Sequence, residues 1–322
     1  MKKIPVVIDC DTGIDDMISF ALTLSSEKLD VLGITTVAGN QCVEYTTQNT
    51  LNGLKLMGRE EIPVAKGEEK PLYRPLRNAA HIHGKTGLGD YHFSFETEKK
   101  IVPEKASEFI HQILENSVEP VVILALAPLT NLARLILDYP ECKKKIDKIV
   151  FMGGSIRTGN PTPVATFNVL ADPEAAKLII NSGIPFYMCP LDTTKELYLT
   201  QEQIEMLGTI KNPVAEMNKC LCSFYKRQVE LNNQAVSRFK GLCIHDLCTA
   251  AYVTNPELFT TVRYQGDVET EGELTCGFTV IDYEDIRKTP EKNKNINFIK
   301  SVDRDAVLKL YFQALEKFGG IR

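Results

Sequence analysis

The sequence contains no tryptophan, no long hydrophobic run and no excess of basic residues. Without an indole ring, stacking on tryptophan is excluded as a way of holding a ligand. The apolar runs fall short of the roughly 20 residues of a membrane-spanning helix. A net charge of −5 provides no basic surface for nucleic acid. The N-terminal apolar run is brief and ends in aspartates, so we expect no signal peptide.

Cysteine usage gives a further exclusion. The chain has nine cysteines, an odd number, scattered through apolar segments and without a C-x-x-C pair. This pattern is typical of reduced thiols and argues against a disulfide framework. We therefore expect a cytoplasmic protein, with neither nucleic acid nor a membrane as partner.

Short apolar runs rich in β-branched residues alternate with helical patterns. The runs are IPVVID (4–9), LDVLGITTVAG (29–39), PVVILALA (120–127), DKIVFMG (147–153) and IPFYMCPL (184–191). The alternation predicts a single α/β domain over residues 1–322, with a mostly parallel, Rossmann-like sheet and helices on both faces. We also expect helical insertions around 67–115 and 200–245, and an antiparallel edge strand within ELTCGFTVIDY (273–283).

Polar residues gather where the predicted strands end. The carboxyl ends read DCDTGIDD, VAGN, ALAPLTN, MGGSIRTGN and CPLDTT, and four of them are rich in Asp, Asn or Thr. Ligands of open α/β sheets bind at this edge. The sequence therefore predicts a functional site there.

The first of these ends carries four aspartates, Asp9, Asp11, Asp15 and Asp16. Carboxylates this close cannot all stay ionised unless a cation compensates them or some take up protons. Gly13 permits a tight turn, and the following helix dipole offsets part of the charge. The pattern indicates an oxygen-rich site for a hard divalent ion. A solvated acidic turn that caps the helix is the alternative.

Two other motifs fit less well. An EF-hand loop needs an acidic or amide ligand at its fifth position and glycine at its sixth, where this chain has Gly13 and Ile14. Phosphatases with an aspartate nucleophile have D-x-D-x-[TV], whose last position is again Gly13. A metal-dependent phosphohydrolase with Asp9 or Asp11 as nucleophile stays as a second hypothesis.

Six segments together resemble one family. DCDTGIDD, VAGN, HGKTGLG, APLTN, MGGSIRTGNPTPVATFNVLADPEAA and IHD occur in this order between residue 4 and about residue 250. The set is similar to that of the inosine–uridine-preferring nucleoside hydrolases, which cleave the N-glycosidic bond of nucleosides. The last seventy or so residues add little to the resemblance.

The resemblance implies a Ca²⁺ ion. Its carboxylate ligands would be Asp11, Asp16 and Asp246, and the backbone carbonyl of Leu126 would complete the protein's share. Asp11 would also accept the proton of the attacking water. Positive charge that grows on ribose as the base departs would be stabilised by these carboxylates.

The same resemblance implies the substrate contacts. Asp15, Asn40 and Asn168 would bind the 2′- and 3′-hydroxyls, and Asn160 would face the 5′-hydroxyl, with Met152 as a further contact. Groups that must pair with a hydroxyl discriminate against sugars that lack it, so ribosides would be preferred over deoxyribosides.

One position departs from the family pattern. In PVATFN the family usually carries Glu where this chain has Thr166. The shorter, neutral side chain either weakens recognition of the 5′-hydroxyl or lets the site accept a modified 5′ position. Thr166 also keeps open a third hypothesis, a nucleoside- or ribose-binding protein with weak catalysis.

The leaving base needs a proton or a hydrogen bond. His245 is the candidate acid, with support of Asp246 as its alternative role. His83 lies on a segment that resembles the family's mobile loop over the base, and it is either a base contact or a solvated loop residue. His81 is not its equivalent. Phe167 and Tyr225 are either base contacts or core aromatics.

The combined hypothesis is a Ca²⁺-dependent ribonucleoside hydrolase that serves salvage. Purine-specific members hold the base between two indoles, which this chain cannot supply. A pyrimidine-preferring or nonspecific enzyme that releases ribose and free base is therefore expected. The family resemblance further suggests a homodimer or homotetramer.

Overall fold

Strands and helices alternate through most of the chain. The computed structural model describes residues 2–232 and 240–320. The strands are β1 (Ile4–Cys10), β2 (Leu29–Thr36), β3 (Val64–Lys66), β4 (Val121–Ala125), β5 (Ile146–Met152), β6 (Phe186–Cys189), β7 (Tyr198–Leu199), β8 (Leu242–Cys243), β9 (Phe259–Tyr264), β10 (Gly266–Val268), β11 (Thr279–Ile281) and β12 (Ile296–Val302). The helices are α1 (Ile14–Leu24), α2 (Val43–Leu56), α3 (Ala80–His83), α4 (Ala106–Asn116), α5 (Thr130–Asp138), α6 (Phe167–Ala171), α7 (Pro173–Ile180), α8 (Leu191–Thr194), α9 (Gln201–Leu207), α10 (Pro213–Asn232), α11 (His245–Thr254) and α12 (Arg304–Glu316).

Within these residues, eight strands form one sheet in the order β3-β2-β1-β4-β5-β6-β12-β9. Every neighbouring pair is parallel except β12 and β9. The chain runs outward from β1 to β3 and then continues with β4 on the other side of β1. This reversal creates a switch point between β1 and β4, where such sheets bind their ligands. The predicted α/β class is confirmed.

Helices cover both faces of the sheet. Alternate residues of β1 point to opposite sides, so Val6 and Ile8 pack into one apolar cluster and Val7 into the other. The first cluster includes residues of α1, α11 and α12, and the second includes residues of α4, α5 and α7. Burial on both faces explains why the strands read as continuous apolar runs rather than as alternating ones.

The antiparallel edge strand lies elsewhere than predicted. It is Phe259–Tyr264, which pairs with Ile296–Val302, a strand that the sequence pattern did not reveal. Within 273–283, only Thr279–Ile281 is a strand, and it pairs with Gly266–Val268 in a separate two-stranded sheet. This segment cannot join the main sheet beside β6, because β12 occupies that position.

The two expected insertions differ in structure. Around 200–245 the described residues are largely helical, in α9 and α10. For 67–115 the prediction is confirmed only in part: α3 and α4 are helical, whereas the rest of the stretch between β3 and α4 is not. Prolines and glycines punctuate that stretch and disfavour long helices. None of the described helices has both the length and the apolar character to cross a bilayer.

Candidate active site

A cavity of about 380 Å³ opens at the carboxyl edge of the sheet, and we call it the central cavity. Residues that follow β1, β2, β4 and β6 line it, together with the last residue of β5. Most of the predicted site residues lie in its wall: Asp15, Asn40, His83, Leu126, Met152, Asn160, Thr166, Phe167, Asn168, Tyr225, His245 and Asp246. Asp11 and Asp16 are fully buried next to it.

The turn after β1 presents two carboxylates at the start of α1. Asp15 and Asp16 occupy the first turn of this helix, and the Gly13 amide donates a hydrogen bond to Asp16 Oδ2 at 2.9 Å. Capping therefore accounts for one oxygen of Asp16. Its Oδ1 is buried and has no hydrogen-bond partner within the described residues. A purely capping role leaves that oxygen unexplained.

Asp15, Asp16 and Asp246 form the acidic cluster. One oxygen from each lies within 4.8 Å of the other two, and all three side chains are buried. Burial raises the pKa of Asp15 to about 6, and burial together with the charge of Asp15 raises the pKa of Asp16 to about 8. The pKa of Asp246 is raised for the same reasons. Buried carboxylates in contact favour a bound cation, so this cluster can hold a metal ion.

Asp11 is joined to the acidic cluster through Asn40. The backbone N–H of Asn40 donates to Asp11 Oδ2 at 2.7 Å. The side-chain Nδ2 of Asn40 lies 3.1 Å from both Asp11 Oδ1 and Asp16 Oδ2. Burial and the charge of Asp16 raise the pKa of Asp11. Asn40 thus fixes the orientation of two carboxylates at once.

Asn168 links the ends of β4 and β5. Its Nδ2 donates to the carbonyl of Leu126 at 2.8 Å and to that of Met152 at 3.0 Å. A carbonyl oxygen has two lone pairs, so Leu126 retains acceptor capacity for a cation. The two hydrogen bonds hold the Asn168 side-chain amide in place at the cavity wall.

The chain between β5 and α6 forms another part of the wall. Thr166 Oγ1 accepts a hydrogen bond from the Gly154 amide at 2.9 Å, and Asn160 Oδ1 accepts one from the Phe167 amide at 2.9 Å. Asn160 therefore retains its Nδ2 group as a donor. Thr166 is buried and supports this backbone as well as lining the cavity.

His83 and Tyr225 meet across the cavity wall. His83 Nδ1 accepts a hydrogen bond from the Ile14 amide at 3.0 Å, and the two rings lie 5.8 Å apart between centroids. Burial, with smaller effects of other histidines, lowers the pKa of His83 to about 3. The ring is thus neutral with its proton on Nε2, which is a hydrogen-bond donor.

His245 begins α11, immediately before Asp246. Its Nδ1 lies 2.8 Å from Thr194 Oγ1. Burial, and secondarily the charge of Lys195, lowers the pKa of His245 to about 4. The side chain therefore faces the cavity as a neutral ring, oriented by a hydroxyl from α8.

Several cavity residues were not predicted from the sequence, among them two with basic side chains. These are Lys195 and His81, although the sequence pattern favoured His83 over His81. Lys195 directly follows CPLDTT, so extending the strand-end rule by one residue would have found it. His81 lies on α3 with His83.

Comparison with known proteins places this geometry in a family. The family model described as inosine-uridine preferring nucleoside hydrolase matches residues 6–309. A pyrimidine-specific ribonucleoside hydrolase RihA from Photobacterium profundum is 39% identical over 314 residues, covering 98% of this chain and 99% of the relative. RihA from Escherichia coli O7:K1 is 40% identical over 315 residues, covering 97% of this chain and 98% of the relative.

Solved structures agree with this match. A purine-preferring ribonucleoside hydrolase from Gardnerella vaginalis superposes with a TM-score of 0.90 at 27% identity, covering 99% of this chain and 100% of the other. A plant nucleoside hydrolase gives 0.89 at 29% identity, covering 97% and 99%. The family and enzyme class predicted from the motifs are confirmed. This chain belongs to the inosine-uridine preferring nucleoside hydrolases, enzymes that hydrolyse N-glycosidic bonds.

Proposed function

We propose that this protein hydrolyses pyrimidine ribonucleosides such as uridine and cytidine to ribose and the free base. The observation that carries the proposal is the acidic cluster at the central cavity, with the amides of Asn40 and Asn168 beside it. Relatives of about 40% identity over nearly the whole chain are named pyrimidine-specific. The lack of tryptophan agrees, because a base cannot be held between indoles here.

We infer that Ca²⁺ is the resident ion, held by Asp11, Asp16 and Asp246 and by the carbonyl of Leu126. These donors are all oxygens, of which Ca²⁺ takes six to eight in irregular geometry. Asp16 and Asp246 belong to the acidic cluster, and Asn40 Nδ2 joins Asp11 to Asp16. The unpartnered Asp16 Oδ1 supports the inference as well. When bound, the ion supplies the positive charge that compensates the carboxylates and activates a water molecule.

The chain's own residues have separate roles in the proposed reaction. Asp11, oriented by Asn40, accepts the proton of the attacking water. Asp15, Asn40 and Asn168 bind the 2′- and 3′-hydroxyls and select ribose over deoxyribose. Positive charge on the sugar in the transition state is stabilised by the surrounding carboxylates.

The remaining wall residues bind the rest of the nucleoside. Asn160, Thr166 and Met152 contact the 5′ side of the sugar. The base lies against aromatic and imidazole rings, which are those of His83, Phe167, Tyr225 and His245. His245 and His83 are both neutral, so each helps the base to leave by donating a hydrogen bond.

A nucleoside panel tests this function. Uridine, cytidine, inosine and 2′-deoxyuridine are incubated with the protein and Ca²⁺, and released base is measured by chromatography alongside reducing sugar. Uridine and cytidine are expected to react fastest, 2′-deoxyuridine slowly, and a chelator should stop the reaction until Ca²⁺ is restored. An Asp11→Asn variant should lose activity. Inorganic phosphate from a phosphate ester, or tight binding without base release, would contradict the proposal.

We further propose that the enzyme acts in the cytoplasm in nucleoside salvage, without nucleic acid or membrane partners, as a homodimer or homotetramer. The net charge of −5 supports the absence of a nucleic acid partner, because it gives no attraction to polyanions. Light scattering on a sizing column measures the assembly. A monomer at micromolar concentration would contradict the oligomer.

A further inference from the structure

Lys195 is the only lysine or arginine among the described residues that line the central cavity. It follows α8, and its Nζ donates a hydrogen bond to Thr158 Oγ1 at 2.8 Å. An ammonium group has three donors, and this neutral hydroxyl uses one of them. The proposed reaction gives Lys195 no role.

The Lys195 ammonium has no counter-ion in the part of the chain that the structure describes. No carboxylate oxygen of residues 2–232 and 240–320 lies within 4.0 Å of its Nζ. The acidic groups that act on it are Cys243 and Asp192, and Asp192 Oδ2 already accepts a hydrogen bond from the Ile156 amide at 2.8 Å. Lys195 is half-buried and lines the cavity, so its remaining donors are available to an anionic ligand there.

The surroundings of Lys195 also favour an anion. Residues 153–167, which include Thr158, Asn160 and Thr166, contain no Asp or Glu. A hydrogen bond of 3.0 Å from the Leu191 amide to the Gly154 carbonyl attaches α8 to this segment. Asn160 and Lys195 line the cavity, and Thr158 is the hydrogen-bond partner of Lys195. We call these three residues the Lys195 subsite. Its donors are neutral or cationic, in contrast to Asp15 and Asp246, which line another part of the same cavity.

The proposed function decides which part of the substrate meets this subsite, so the inference rests on it. The ribose hydroxyls bind at Asp15 and Asn40, and the flat base packs against His83 and Tyr225. The exocyclic C5′ carbon then points along the remaining polar wall, toward Asn160. A group attached to O5′ extends from there to Lys195.

We propose that the Lys195 subsite binds a 5′-phosphate, so that pyrimidine ribonucleoside 5′-monophosphates are substrates of the same hydrolysis. A phosphate offers several strong acceptor oxygens to the Lys195 ammonium, the Thr158 hydroxyl and the Asn160 amide. The oxygen of water bonds to C1′ and the C1′–N bond breaks. The bonding pair leaves with the base, which takes up a proton, and ribose 5-phosphate is the second product.

The test compares uridine with uridine 5′-monophosphate in the Ca²⁺-loaded enzyme. The readout is the ratio of the two kcat/KM values, measured by uracil release. Lys195→Gln should lower this ratio about tenfold or more, because a charge-assisted hydrogen bond is lost. Lys195→Arg retains the charge and should keep most of the ratio. The matched control is Lys211→Gln, which removes an exposed lysine whose Nζ donates to the Gly208 carbonyl at 3.0 Å, and it should leave the ratio unchanged.

Inhibition by the two sugar products, ribose and ribose 5-phosphate, gives a second readout that does not depend on nucleotide turnover. Ribose 5-phosphate should inhibit uridine hydrolysis at a lower concentration than ribose, and Lys195→Gln should remove the difference. Orotidine carries its anion on the base, so a Lys195-dependent preference for orotidine over uridine 5′-monophosphate would overturn the proposal.

The outcomes separate the two proposals. If uridine is hydrolysed but its 5′-monophosphate is not, and ribose 5-phosphate inhibits no better than ribose, the subsite proposal is wrong and the proposed function stands. If no base is released from either substrate, the proposed function fails and the subsite proposal falls with it.

Discussion

At the scale of single residues, His245 shows how a side chain beside an ion site can assist a leaving group without carrying charge. Burial lowers its pKa to about 4, so the ring is neutral at pH 7. Thr194 Oγ1 contacts Nδ1 at 2.8 Å. When this hydroxyl donates to Nδ1, the imidazole proton resides on Nε2 and can be donated to the departing base.

This role predicts a dependence on the leaving group. His245→Ala should slow uridine hydrolysis about 100-fold or more, within the usual range for loss of a general acid. p-Nitrophenyl riboside has a leaving group that is stable as an anion, so its hydrolysis should slow less than about tenfold, since it needs no such donor. Steady-state kinetics with both substrates measure the difference.

His92→Ala is the matched control, because His92 is exposed. It should change neither rate. Equal losses on both substrates in His245→Ala would instead mean that the ring only supports Asp246, the alternative role considered for it.

At the scale of elements, the site depends on how closely the loops after β1 and β2 approach each other. A Cβ atom on Gly39 would lie 2.0 Å from Asp11 Oδ2 and 3.0 Å from Pro128 Cδ. A Cβ atom on Gly13 would lie 2.4 Å from His83 Nδ1. All three distances are below van der Waals contact. The loops at Gly13 and Gly39 therefore pack against their neighbours at a spacing that only glycine permits.

Gly39→Ala should therefore displace the Asp11 carboxylate from the backbone N–H of Asn40. We expect uridine hydrolysis to fall by at least about tenfold and the free energy of unfolding to fall by about 1–3 kcal/mol, as for overpacking. Kinetics and urea denaturation measure the two effects. Gly319→Ala adds the same methyl group where no other described residue lies within 4 Å of the new Cβ atom, and it should be neutral. An active Gly39→Ala variant would contradict the proposed place of Asp11 in the mechanism.

The elements also show where sequence patterns carry information and where they stop. The strands beside the switch point were predicted because burial on both faces gives each one an unbroken apolar run. Edge strand β9 has exposed and half-buried residues, and so gives no such run. The contact of Lys195 with Thr158 spans 37 residues of sequence and leaves no local pattern. Asp246 was assigned beside Asp11 and Asp16 only through the family resemblance, for the same reason.

At the scale of the whole molecule, the acidic cluster couples ion binding to folding. Without an ion, the raised pKa values of Asp15 and Asp16 mean that the native state retains protons which the unfolded chain releases above pH 4. When the native state binds more protons than the unfolded state, stability falls as pH rises. A bound Ca²⁺ ion removes the need for these protons because it compensates the ionised carboxylates.

The ion-free protein should therefore lose thermal stability between pH 5 and pH 8, as pH passes the pKa values of about 6 and about 8 for Asp15 and Asp16. One retained proton is worth about 1.4 kcal/mol per pH unit, which is about 2 °C in Tm for a chain of this length. With Ca²⁺ at 100 times its Kd, Tm should rise by about 4 °C, and by more at pH 8 than at pH 5 because binding requires deprotonated carboxylates. Calorimetry with chelator and with Ca²⁺ measures how Tm changes with pH in the ion-free and the ion-bound protein.

Asp16→Asn should flatten the pH dependence of Tm and abolish the Ca²⁺ response, whereas Asp305→Asn, at an exposed position on α12, should preserve both. An ion-free protein whose Tm rises over this pH range would show that the cluster is already ionised without a cation, and the inferred ion site would be wrong.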